Sequence, residues 1–131
     1  MLVRGFAPED KEAVLELYRG MGMDYSEPDL DSPLFIVKKV VEQDGKVIAA
    51  CALRLTAECY LIMGNVSPQE KMESMLMMQP EVLMAAWSQG LDEIEARIPT
   101  EMEKRFQKRL KQLGWSRNRD GWHPWTRFTG A

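Results

Sequence analysis

One histidine and two cysteines in 131 residues leave little from which to build a metal or thiol centre. Cys51 and Cys59 stand in apolar, strand-like sequence without CxxC spacing, and they read as buried reduced thiols. No apolar run nears the ~20 residues of a membrane span. The opening, Met1-Leu-Val-Arg-Gly-Phe-Ala-Pro-Glu-Asp10, is neither a signal nor a transit peptide. The expected location is therefore the cytoplasm. Repeats, low-complexity tracts and linkers are also absent, so residues 1–131 are expected to form a single domain.

What is present is an ordinary globular composition, 45% hydrophobic and 28% charged. The net charge of −3 is unevenly spread. Residues 101–131 hold eight Lys or Arg against three Asp or Glu, a balance of +5, and the first 100 residues carry −8. A basic end on an acidic body steers anions; equally, Lys104, Arg105, Lys108, Arg109 and Lys111 fit the wet face of a helix.

Leu2–Phe6 is short, apolar and alternating, which predicts a strand. Pro8-Glu9-Asp10 opens a helix, since proline suits the first turn and acids favour the positive end of the dipole. Val14, Leu17, Tyr18 and Met21 follow at helical spacing, and Gly20 and Gly22 end the helix. A loop bearing Asp24, Glu27, Asp29 and Asp31 leads to the β-branched stretch Phe35–Glu42. Asp44-Gly45 then gives a hairpin signal, because both residues tolerate positive φ. A straight strand over Lys46–Met63 would run roughly 60 Å, against a radius of gyration of roughly 14 Å for a domain of this size. It must bend, and Arg54–Ala57 is the expected place. The outcome is a meander of three antiparallel strands.

Ser67-Pro-Gln-Glu70 predicts a capped, proline-started helix running to about Met78. Pro80 is expected to open another, with Leu83, Trp87, Gly90, Leu91 and Ile94 toward the core. Arg97-Ile98-Pro99 reads as a strand end or extended link. Thr100 starts a last helix striped with Met102, Phe106, Leu110 and Leu113 and stopped by Gly114, and a hairpin turning at Asp120-Gly121 closes the chain. Met72, Met75, Met77, Met78 and Met84 suit core packing or an adaptable partner surface, and a homodimer is one expected use of the latter. Trp115, Trp122 and Trp125 lie among arginines, but a pI near 5.3 does not favour a nucleic-acid partner.

In order and spacing these segments resemble the Gcn5-related N-acetyltransferases (GNAT). The resemblance rests on Val3-Arg4…Pro8-Glu9-Asp10…Val14–Tyr18, the hairpin Val40–Ala50, Ala57–Ile62 as a fourth strand, Val66-Ser-Pro68, and Arg109–Trp115 with its closing glycine. It implies an α+β fold, a GNAT-like mixed and mainly antiparallel sheet flanked by helices. It extends to short GNAT-like proteins of tailed phages, some without enzymatic function.

The resemblance also implies a site. The family's R/Q-x-x-G-x-G/A loop cradles the coenzyme A pyrophosphate on backbone N–H groups, and glycine permits the close approach. In this chain Lys71 takes the arginine position, and Ser74 and Leu76 stand where glycines are expected. The tyrosine general acid of many members is replaced by Leu110. Glu58 matches a fourth-strand base; its apolar neighbours would desolvate it, or alternation would turn it to solvent. By resemblance Leu61 and Met63 supply pantetheine and oxyanion donors, and Val66, Ser67 and Lys71 lie against the phosphates. Two functions follow as expectations. One is an N-acetyltransferase that uses acetyl-CoA as co-substrate and moves acetyl directly to a small-molecule or protein amine. The other is a catalytically inactive GNAT-fold binding or structural protein.

Overall fold

The computed structural model describes residues 1–23, 26–117, 124–127 and 129–130. Packing divides the chain into two compact units, Met1–Arg97 and Ile98–Ala131.

The first unit is α+β. Strand β1 (Leu2–Gly5) leads through a 3-10 turn (Pro8–Asp10) into α1 (Lys11–Gly20), followed by β2 (Phe35–Gln43), β3 (Lys46–Arg54) and α2 (Pro68–Ser88). The three strands form one antiparallel sheet in the order β1-β2-β3. Leu2 lies opposite Glu42 and Gly5 opposite Lys39, and across the hairpin Val41 faces Ala49 and Val37 faces Leu53. The register slips once at each end of β3, leaving Ala49–Leu53 as a regular ladder.

The hairpin turns where the sequence indicates. Asp44 has φ 52° and Gly45 φ 75°, both positive, as a two-residue turn matched to strand twist requires. The loop between α1 and β2 contributes Leu30 and Leu34 to a small core completed by Leu15 and Val40, and Val40 is only 1% exposed. The buried residue of α1 is thus Leu15, not Leu17 or Met21, which are exposed. The inward face runs through Val14, Leu15 and Tyr18, one position round from the predicted stripe.

Beyond β3 the structure departs from the expected meander. The strand ends at Arg54, where the length argument placed a bend, but Ala57–Ile62 does not return along β3. Glu58 makes an isolated parallel bridge with Glu95 instead: the Cys59 N–H donates to the Glu95 carbonyl at 2.6 Å, and the Glu95 N–H donates to Ala57 at 2.8 Å. Arg54 pairs with Asp92 at 2.5 Å and Glu93 at 3.3 Å, which draws residues 92–95 beside the end of β3. The Ala57 carbonyl and the Cys59 N–H are satisfied there.

The two helices expected on either side of Pro80 are one. Helix α2 runs through the proline, although the missing N–H removes a bond to Leu76. Its flanks, rich in Met, Leu, Glu, Gln and Ala, are strong helix formers. It ends at Gly90, φ 82°, whose N–H donates to the Trp87 carbonyl while the Leu91 N–H donates to Ala86. Gly90 therefore stops the helix and does not face a core. None of α2 is buried: Met77, Met84 and Trp87 are more than 70% exposed.

The second unit holds α3 (Thr100–Gln112), which stops at Gly114 with the same pair of bonds, from Gly114 to Lys111 and from Trp115 to Leu110. Arg117 pairs with Glu103 on this helix. The turn expected at Asp120-Gly121 lies outside the described residues. Among the described residues, no helix is long and apolar enough to cross a membrane.

Two substitutions test the sheet. Val40→Ala should cost about 2 kcal/mol by emptying the most buried position. Gly45→Ala should cost about 1 kcal/mol by forcing a Cβ into positive φ. Urea denaturation reads both, and a neutral Val40→Ala would contradict the core described above.

Candidate functional site

The most tightly partnered polar group in the first unit is Asp10. It is 8% exposed and closes the 3-10 turn by accepting the Ala7 N–H at 2.7 Å. Arg4 on β1 grips the same carboxylate with both terminal nitrogens, at 2.7 and 2.9 Å, and reaches Glu42 of β2 at 3.4 Å. The Arg4 hydrogen bonds, helped by the Ala7 amide, hold the Asp10 carboxyl down at about 2. Asp10 in turn raises Arg4 above the ordinary arginine range. Beside this cluster lies a cleft of about 510 Å³ lined by Arg4, Asp10, Glu16, Glu42 and Lys46 among others. Its three carboxylates outnumber its two cations, and Arg4 is already engaged, so the cleft does not suit a polyphosphate. None of the residues predicted from sequence lines it. Periodicity gave no sign of it, because Arg4 and Asp10 meet only when β1 and the turn fold against each other.

The predicted site residues fall on the segment 58–71. Glu58 is exposed, with its carboxylate 3.8 Å from the Arg97 guanidinium. Of the two expectations for Glu58, desolvated or turned to solvent, the structure has the solvent-facing one, in a surface ion pair. Leu61 is 54% exposed and Met63 half-buried. Their N–H groups meet no backbone carbonyl among the described residues, which leaves them available as donors. Val66 donates to Gly64 at 3.0 Å just before α2.

Ser67 caps α2 as its sequence predicts: its Oγ accepts the Glu70 N–H at 3.1 Å and its hydroxyl donates to the Glu70 carboxylate at 3.0 Å. The Lys71 N–H donates to the Ser67 carbonyl at 3.0 Å, so these two residues share the first turn. That arrangement consumes donors. Pro68 has no N–H, and the amides of Glu70 and Lys71 are both used, leaving Gln69 as the open donor inside the turn. Ser74 and Leu76 lie further along the helix, where the Ser74 hydroxyl donates to the Glu70 carbonyl at 2.8 Å.

Of the acids between α1 and β2, Glu27 and Asp31 are engaged. The guanidinium of Arg19 holds Glu27 at 2.5 Å and lowers its carboxyl, making it a weak base, and Lys11 does the same to Asp31. Asp24 lies outside the described residues, as does His123. Among the described residues, no group of three His, Cys, Asp or Glu could hold a metal ion. Comparison with family models, curated proteins and solved structures found no match to the chain.

The Arg4–Asp10 pair makes stability depend on pH in one direction. Asp10 is depressed from its ordinary 3.8 to about 2, so its contribution is present above the ordinary value and lost as pH falls through about 2. Asp10→Asn should therefore be less stable than the parent at pH 7, with the gap closing between pH 4 and 2. Urea midpoints across that range check this, and a constant gap would remove Asp10 from the acid transition.

Proposed function

We propose that the chain is a catalytically inactive GNAT-fold binding or structural protein, without acetyl-transfer catalysis. The observation that carries this reading is that Lys71–Leu76, the stretch corresponding to the pyrophosphate loop, lies inside α2. Amides within a helix donate to carbonyls one turn back and are closed to an anion. Glycine at Ser74 or Leu76 would serve a close backbone approach that a helix interior does not permit. Glu58 supports the same reading, since an exposed carboxylate beside Arg97 has the surroundings of a surface ion pair.

A second reading, acetyl transfer from acetyl-CoA to a small-molecule or protein amine, draws support from the open N–H groups of Leu61 and Met63. In that case the thioester oxygen would lie against those donors, Glu58 would take the proton from the amine, and Lys71 with Ser67 and Val66 would meet the phosphates.

Titration with acetyl-CoA followed by thermal shift separates the two. No stabilisation at millimolar acetyl-CoA is expected. Binding would appear as about 2.7 kcal/mol of added stability at 100 times the dissociation constant. Binding weakened by Lys71→Glu, with turnover reduced ~10²–10⁴-fold by Glu58→Gln, would replace the binding-protein reading with the enzymatic one.

A further inference from the structure

Among the described residues of the first unit, strand β3 is an open sheet edge. It pairs with β2 on one side, and among the described residues of its unit no strand takes the other side. It is nine residues long, and Val47–Leu53 is an unbroken uncharged run. Ala49, Ala50, Cys51 and Ala52 are all exposed, and Leu53 is 55% exposed. The opposite edge, β1, is four residues long and carries the engaged Arg4. Short, charged edges resist further pairing; long apolar ones invite it. A bulge at Ile48 irregularises one end of β3 but leaves Ala49–Leu53 as five consecutive regular positions.

We propose that this edge pairs with β3 of a second copy of the chain, antiparallel about a two-fold axis near Cys51, giving a six-stranded sheet β1-β2-β3-β3-β2-β1. The charges at the two ends of the strand select both the partner and the direction. At the Arg54 end, Asp92 and Glu93 sit on one guanidinium, a local balance of −1. At the other end Lys46 makes no ion pair among the described residues. Antiparallel pairing of two copies brings each acidic end to the partner's Lys46, twice by symmetry; parallel pairing would set like ends together. With the axis at Cys51, Ala49 faces the second copy's Leu53 and the two copies of Cys51 lie directly opposite, at a Cα separation of roughly 4.5–5.5 Å. That separation is within disulfide reach. The self-association requires neither a ligand nor catalysis.

Sedimentation equilibrium on the full chain under reducing conditions should give twice 15.1 kDa. Ala50→Pro removes a ladder donor and should raise the dimer dissociation constant about a hundredfold, with an unchanged far-ultraviolet spectrum. Ala50→Lys places a charge on the same edge and should act likewise should the proline variant lose its fold. Met77→Lys, on the exposed surface of α2, should leave the dimer intact. In a Cys59→Ser background, mild oxidation should yield a covalent dimer through Cys51. The proposal is overturned by a parent chain that stays monomeric to high micromolar concentration, or by folded Ala50 variants that remain dimeric. Dissociation by Met77→Lys, or a Cys51 that cannot be cross-linked, would equally overturn it.

Discussion

A single guanidinium organises the start of the chain. Arg4 belongs to β1, grips the carboxylate that closes the following 3-10 turn, and reaches Glu42 on β2. Its planar fork matches the two Asp10 oxygens in a way a lysine could not reproduce. The direction in which α1 leaves the sheet depends on this contact, because the turn held by Asp10 runs directly into the helix. The core beneath is small: Leu15, Leu30, Leu34 and Val40 are its buried apolar residues among those described. Polar ties take up part of the task of fixing the loop between α1 and β2. Lys38 donates to the Leu30 carbonyl at 2.7 Å while its ammonium sits 4.8 Å from the Phe6 ring centroid. Lys11 and Arg19 fasten Asp31 and Glu27 from the side of α1.

Where local chemistry dictates structure, the sequence was readable. Asp44-Gly45 could turn the chain cheaply, Ser67-Pro68 could start a helix, and Gly22 and Gly114 each mark a helix end at positive φ. Reading failed where tertiary partners decide. Ala57–Ile62 has the composition of a strand, but its hydrogen bonds go to Glu95, a residue no local pattern links to it. Pro80 looked like a helix start because proline favours a first turn, yet the residues on both sides hold the helix through it. The apolar residues of α1 form two overlapping stripes, and only the tertiary core that buries Leu15 picks between them.

The candidate site was legible to a similar degree and for similar reasons. The Ser67 cap was evident from four residues, but its consequence was not. A well-made cap and a leading proline together use the donors that an anion would need. Strong helix initiation and anion capture compete for the same N–H groups, and at α2 helix initiation prevails. Of the two readings open for the methionines of this helix, core packing or an adaptable surface, Met77, Met78 and Met84 take the exposed one, so Met-rich composition alone does not determine burial.

The two-residue turn at Asp44-Gly45 also bears on the order in which the sheet assembles. Pairing β2 with β3 closes the shortest loop a hairpin permits, whereas β1 can join only after residues 6–34 are looped out. Loop-closure entropy makes the second step costlier by about 2 kcal/mol, at ~0.6 kcal/mol per doubling of length. The hairpin therefore forms on the microsecond scale of local elements, and β1 docks onto an existing template. Arg4 lies six residues from Asp10 and pairs with it locally, whereas its reach to Glu42 of β2 is made only at that later stage.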